Sequence, residues 1–192
     1  MDALVAAAMA RWPGVPDVYG WLSLDARGRF LIRGETIGHA PLRAFFGRNY
    51  GVDERGCWHV QNGPQRVFVA LACCPWVFRL DDTARTLVAH TDANAGRILE
   101  AGFDETGALV LSTELGLGTL LDRDLSAWLD GVRIGPAGAP VDESTLDTLR
   151  AGGTLRARRF GARDDSQAFT LHHWRVSELE ERFGFVRDPR PR

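Results

Sequence analysis

Lysine is absent from all 192 residues, so the 23 basic side chains in the charge count are all arginine. Without a primary ε-amine the chain has no Schiff base to pyridoxal phosphate, no lysine nucleophile and no phosphate-loop lysine to reach a nucleotide. A codon bias toward arginine and alanine is a better explanation of the absence than selection for arginine chemistry, and only the exclusion is drawn from it. An excess of charge is lacking too: 23 basic groups stand against 25 acidic ones, for a formal net charge of -2. No global field draws this chain to nucleic acid or to anionic lipid.

Cysteine is sparse. Cys57, Cys73 and Cys74 are an odd number with an adjacent pair, a poor disulfide framework that points to a reducing compartment. Long apolar runs are missing, and none approaches the ~20 residues of a membrane span. Met1 to Ala10 carries Asp2 and no basic region, which argues against a signal peptide. The expectation is a cytoplasmic protein that makes no use of a membrane.

What is present is globular composition, 45% hydrophobic and 25% charged. A chain of this size buries roughly 70% of its unfolded surface, enough to fold without a disulfide or cofactor. Leu4, Val5, Ala8, Met9 and Trp12 recur at helical spacing until Pro13-Gly14, predicting an amphipathic first helix laid across a sheet. Thereafter the period is mostly two. Asp25-Ala26-Arg27-Gly28, Asp53-Glu54-Arg55-Gly56 and Asp104-Glu105-Thr106-Gly107 share one wording, Asp-x-x-Gly followed by alternating apolar residues. Asp accepts backbone hydrogen bonds at a turn and Gly takes the positive φ that ends it, so these are turns into strands and not calcium loops.

Pro41, Leu42, Phe45 and Phe46 predict a short helix, and Asn62-Gly63-Pro64 a tight reversal before Val67-Val69-Leu71. Strands are expected near Trp76–Leu80, Ile98–Phe103 and Leu109–Thr113. Asp122 should cap a helix carrying Leu125, Trp128, Leu129 and Val132, and Asp142 another carrying Leu146 and Leu149. A last hairpin joins Leu155–Arg158 to Phe169–His172 through a polar turn at Arg163–Asp165. Ser177 with Glu180 starts a final helix, and Asp188–Arg192 reads as a loose tail. The fold class is α+β, antiparallel hairpin-rich rolls with short helices packed on them, in two lobes: 1–93, β-rich with the first helix, and 94–192, mixed α/β. The two could also form one compact unit.

Trp12-Pro13, Asp17-Val18-Tyr19-Gly20-Trp21, Arg29 to Gly34, Arg48-Asn49-Tyr50, Gln61 to Val67 and Pro75-Trp76-Val77 together resemble an uncharacterised proteobacterial family, a domain of unknown function. The resemblance covers about the first two thirds of the chain. More distantly, the order of a Gly-aromatic strand, an Ile-containing turn, a short aromatic helix and a Thr-containing loop is similar to a second bacterial family of unknown function, a β roll joined to a mixed α/β roll. The resemblance implies two lobes and carries over no catalytic residue.

Candidate ligand-binding residues come from two places. Gln61, Asn62, Gln65 and Arg66 surround one turn, with His59 just before it, and an arginine fork beside amides suits a carboxylate or phosphate. His90 and Asp92, with Asn94, open the stretch expected between the lobes, where a base and its orienting carboxylate could sit. No catalytic residue is assigned, because the sequence places no nucleophile. No metal and no cofactor are expected: His172-His173 point apart on a strand, and the three thiols read as small apolar groups. Asp122 and Asp124 read as helix-terminal acids. Arg156, Arg158, Arg159 and Arg163 make one basic strand face, which Asp164 and Asp165 partly neutralise, and nucleic acid is not expected there. Two readings follow: a non-enzymatic binding or regulatory protein for a small anionic ligand or a protein partner, or a small enzyme acting on an anionic molecule near Arg66, His90 and Asp92. An exposed strand edge leaves room for a homodimer.

Overall fold

A computed structural model describes residues 2–11, 15–83, 86–160 and 166–191. The predicted helix stop at Trp12 to Gly14 and the polar turn Arg163–Asp165 lie outside them. The fold is α+β, with two mixed sheets of six and eight strands, one curled into a half-barrel, and short helices. The chain forms two compact units: residues 1–75 with 90–92 and 180–192, and residues 76–89 with 93–179.

Unit 1 opens with α1 (Ala3–Arg11). Of the predicted apolar stripe Val5 is buried but Leu4 is 85% exposed, so these two do not share a buried face. Polar bonds tether this end instead: the Asp2 amide donates to Asn49 Oδ1 at 2.8 Å and Arg48 Nε to Asp2 Oδ1 at 3.0 Å. Then come β1 (Val18–Leu24), β2 (Phe30–Ile32), β3 (Glu35–Thr36), α2 (Ala40–Arg48), β4 (Tyr50–Val52), β5 (Trp58–Asn62) and β6 (Gln65–Leu71). Pro41 occupies the first turn of α2, as its missing amide allows, and His39 Nδ1 caps the Leu42 amide at 3.3 Å. The sheet runs β3-β2-β1-β6-β5-β4. Its hairpins are antiparallel, as the turn chemistry dictates, but β1 and β6 lie parallel, a pairing between hairpins that no local pattern announces.

The three repeated turns share one geometry. Asp25 Oδ1 accepts the amides of Arg27 and Arg29 at 2.9 and 2.8 Å, and Asp53 Oδ1 those of Arg55 and Cys57, both at 2.9 Å. Asp104 Oδ1 accepts those of Thr106 and Ala108 at 2.8 and 2.9 Å. One carboxylate oxygen thus replaces the partners that a strand would have supplied. Gly56 carries a second constraint. Besides its φ of +79°, a Cβ there would lie 2.3 Å from the Gly184 carbonyl, which is how closely the C-terminal segment approaches. The chain just ahead of the predicted loose tail is tied down, Leu71 donating to the Arg187 carbonyl at 2.8 Å and Val186 to that of Gly56 at 3.0 Å, and within the tail Pro189 is buried and the Arg190 carbonyl accepts Arg55 Nη1 at 3.4 Å.

Unit 2 holds β7 (Trp76–Leu80), β8 (Leu87–Ala89), β9 (Ile98–Phe103), β10 (Leu109–Thr113), β11 (Gly116–Leu120), α3 (Leu125–Asp130), β12 (Val132–Ile134), α4 (Glu143–Arg150), β13 (Leu155–Phe160), β14 (Ser166–His173) and the start of α5 (Val176–Phe183). The sheet order is β12-β13-β14-β9-β10-β11-β7-β8, with β7/β11 and β9/β14 parallel. Phe78, Leu109, Leu111, Trp128, Phe169 and Leu171 are almost wholly buried, each worth about 1.5–3 kcal/mol of burial. Asp142 caps α4 in a capping box with Thr145, as predicted. Asp122 does not cap α3. A single 3-10 turn, Asp122–Asp124, precedes that helix, Asp124 Oδ2 instead accepts the Leu80 amide at 3.0 Å, and Val132 belongs to a strand. Ser177 lies within α5 and is not its cap.

Candidate functional site

The pleat of the unit 1 sheet decides what can meet. His59 pairs with Phe68 and Gln61 with Arg66, while Val60 pairs with both Val67 and Tyr50. Side chains alternate along a strand, so His59, Gln61, Arg66 and Phe68 face one side and Tyr50, Val60 and Val67 the other. On the first side Phe68 is a floor. The Tyr19 ring stacks on it at 4.5 Å and 4°, and the guanidinium carbons of Arg66 and Arg55 lie 5.3 and 5.5 Å from its centroid, within cation–π range.

An open cavity of about 790 Å³ is lined by Asp17, Tyr19, Asp53, Glu54, Arg55, His59 and Arg66, with Val52 and Pro191. Its two arginines are held differently. Arg55 is used on every side: Nε donates to Asp53 at 3.0 Å, Nη2 to the Tyr19 hydroxyl at 3.2 Å and Nη1 to the Arg190 carbonyl at 3.4 Å. Arg66 donates from Nε and Nη2 to the two oxygens of Asp17, at 2.9 and 2.6 Å. No further bond ties Arg66 to the described residues, and its side chain stays 41% exposed. The pairing fixes the orientation of that planar fork and leaves its Nη1 edge unused by the described residues, in a side chain that lines the cavity beside Asp17.

The electrostatics follow. The bond from Asp17 holds the Arg66 guanidinium above its ordinary range, as the bonds with Asp53 and then Tyr19 do for Arg55. Burial pushes the Asp53 carboxyl up, but the Cys57 amide, the Arg55 side chain and the Arg55 amide together hold it below the usual carboxylate value. Burial, with Arg66 nearby, lowers His59, so it is neutral at pH 7. Three carboxylates against two guanidiniums leave the cavity one negative charge. Ser, Thr and Cys do not line it among the described residues.

Of the residues singled out in the sequence, Arg66 and His59 reach this cavity. Gln61, 5% exposed, spends its amide on the turn, donating to the carbonyls of Gly63 at 2.8 Å and Gln65 at 3.4 Å. Asn62 is exposed at the end of β5, and Gln65 Nε2 donates to the Pro16 carbonyl at 3.1 Å. His90 packs on the opposite side of the sheet, its ring 5.3 Å from Phe30 and 5.4 Å from Tyr50. Burial there pulls its pKa down to about 4, against a weaker opposing effect of Asp92, which itself takes φ +65°. Asn94 Oδ1 closes a turn on the Gly96 amide at 2.8 Å. Arg66 and His90 are thus not brought together.

The remaining clusters dissolve on inspection. Arg156 and Arg158 are exposed, but Arg159 is 4% exposed and faces inward, so the three do not share one basic face. His172 stacks on Trp174 at 5.4 Å, whereas His173 lines a separate unit 2 cavity of about 600 Å³ whose wall mixes apolar residues such as Leu125, Leu129 and Leu146 with Glu105, Glu143 and Arg150. Asp17, Tyr19, Asp53, Glu54 and Arg55 were not singled out as site residues. Asp17 and Tyr19 stand two apart at the start of β1, the spacing that puts both on one face, but only the parallel β1/β6 pairing brings Arg66 beside them.

Residues 1–190 match the model of the family DUF2944, described as a protein of unknown function (DUF2946). The chain belongs to that family. This bears out the resemblance carried by the words around Asn62 and Tyr50, and extends it along nearly the whole DUF2944 chain. No curated protein is similar enough to count as a relative. Among solved structures, a DUF1285 family protein from Silicibacter pomeroyi DSS-3 is 15% identical, with a TM-score of 0.54 over 94% of this chain and 99% of its own. A DUF1285 family protein from Shewanella baltica OS155 is 12% identical over 57% of this chain and 91% of its own, with a TM-score of 0.44. The first likeness shows a shared fold for the DUF2944 and DUF1285 chains, in line with the expected second family, and names no activity. No helix among the described residues is long and apolar enough to cross a membrane.

Proposed function

We propose that this chain is a non-catalytic binding module whose ligand lies in the unit 1 cavity and is anchored by Arg66. The observation that carries this is the side-on pairing of Arg66 with Asp17 at 2.9 and 2.6 Å, which leaves the other edge of a half-exposed, cavity-lining guanidinium unused by the described residues. A fork oriented before the ligand arrives loses little freedom on binding, which favours affinity. The Tyr19 hydroxyl accepts from Arg55 and so keeps its own proton to donate. Together these donors suit one carboxylate or phosphate group.

Glu54, which has no ion-pair partner among the described residues, and the cavity's single negative charge suit a cationic or hydroxyl-bearing group on the same molecule. The ligand class is a small zwitterion, such as an amino-acid-like molecule. A polyanion is disfavoured by the three carboxylates on the wall. A binding role fits better than catalysis because no nucleophile lines the cavity and His59 has no described carboxylate bonded to it as an orienter. Gln61 supports the turn that places Arg66, while His90 packs in the aromatic cluster on the other face. A cytoplasmic setting belongs to the same proposal, since Cys57, Cys73 and Cys74 form no disulfide with one another.

The test is a thermal-shift panel of free amino acids, inorganic phosphate and polyphosphate. One or more amino acids should raise the melting temperature and be recovered unchanged after long incubation. A shift with polyphosphate alone, or turnover of the bound molecule, would overturn the proposal.

A further inference from the structure

We propose that Cys73 and Cys74 form a vicinal dithiol modification site that a hydroperoxide closes into an intrachain disulfide. The two Sγ atoms lie 3.3 Å apart, in contact but not joined by a disulfide, in the short loop after β6. Adjacent cysteines do not ordinarily touch, because neighbours on an extended chain point apart. Here the loop is fixed at both ends within unit 1. The Ala72 amide donates to the Leu24 carbonyl at 3.0 Å, the Ala72 carbonyl accepts Arg187 Nη2 at 2.6 Å, and the Pro75 carbonyl accepts the Tyr50 hydroxyl at 2.9 Å. The sulfurs are held together and need not find each other by diffusion.

Burial divides the roles. Cys73 is half-buried and open to a small oxidant, while Cys74 is 2% exposed. The Cys73 thiol gives its proton to solvent, and its sulfur attacks one peroxide oxygen. The O–O bond breaks, leaving a Cys73 sulfenic acid and releasing water, or an alcohol from an organic hydroperoxide. The Cys74 thiol then loses its proton and its sulfur attacks Cys73. The S–O bond breaks and the departing hydroxide takes up the proton as water. Two thiols lose two electrons and two protons in all, and one hydroperoxide takes up both. Cys57, 3% exposed and in a bridge with Val186, takes no part.

The experiment treats the full chain with a small excess of hydrogen peroxide, quenches, denatures and alkylates with N-ethylmaleimide. The tryptic peptide Val67–Arg79 contains both sulfurs and excludes Cys57. It should lose two hydrogens and take up no maleimide, maleimide uptake by the whole chain should fall from three to one, and dithiothreitol should restore it. Cys74→Ala should instead hold Cys73 as a sulfenic acid that dimedone traps. Cys73→Ala, which keeps the buried sulfur, should resist peroxide, with circular dichroism confirming that each variant is folded. Full alkylation after peroxide, or a disulfide that uses Cys57 or joins two chains, would overturn the proposal.

Discussion

Arg66 and Asp17, forty-nine residues apart in the chain, are joined by a two-pronged ion pair, Nε to Oδ1 at 2.9 Å and Nη2 to Oδ2 at 2.6 Å. Asp17→Asn keeps the shape and removes the charge that fixes the fork. Because both partners are partly exposed, the stability lost should be small, about 0.5–1 kcal/mol by chemical denaturation. Ligand affinity should fall further than stability does. Equal affinity in Asp17→Asn and wild type would show that the pairing orients nothing.

His90 should make stability depend on pH in a defined window. Its pKa is about 4 in the folded protein against 6.5 for the free side chain. Between those values the unfolded chain binds a proton that the folded chain refuses, so unfolding free energy rises with pH. The contribution is complete above pH 6.5, is lost as pH falls toward 4, and amounts to about 3 kcal/mol. His90→Gln should flatten the melting curve over that window relative to wild type. Parallel curves would contradict the burial of His90 beside Phe30 and Tyr50.

Asp104 is the sharpest test of the repeated turn. It is 5% exposed, and its Oδ1 satisfies the amides of Thr106 and Ala108. Asp104→Ala should cost about 2 kcal/mol in urea unfolding, whereas Asp104→Asn, which keeps an acceptor oxygen, should cost less. Equal losses would mean that charge, and not the two amide bonds, holds the turn.

Of two strand glycines, one should be sensitive to substitution and the other indifferent. A Cβ on Gly118 would sit 2.4 Å from the ring of fully buried Phe78, and Gly118→Ala should cost about 1–3 kcal/mol. A Cβ on Gly51 meets nothing within 4 Å, and Gly51→Ala should change stability by no more than about 0.5 kcal/mol.

Local chemistry was legible in the sequence, and distant pairing was not. The Asp-x-x-Gly turns, the Gly63-Pro64 reversal, the Asp142 cap and the bounds of β9 and β10 rest on interactions within a few residues, and all stand where the pattern places them. The parallel pairs β1/β6, β7/β11 and β9/β14 have no local code, and with them the meeting of Arg66 with Asp17 and Tyr19 stayed hidden. The helical spacing that begins at Leu4 and Val5 predicts a helix and one stands there, but it did not predict the exposure of Leu4, which depends on a partner surface and not on period. Arg159 shows the same limit. A run of arginines reads as one basic face, yet strand alternation sends Arg159 inward while Arg156 and Arg158 stay in solvent.

The proposed binding role makes Arg66 the anchor of a small zwitterion. Its most direct test is calorimetric titration of wild type, Arg66→Lys and Arg66→Gln with the amino acid that most raises the wild-type melting temperature. Binding should weaken at least about tenfold in Arg66→Lys, which keeps the charge but loses the fork, and vanish in Arg66→Gln while both variants remain folded. Unchanged affinity in Arg66→Gln would contradict the account.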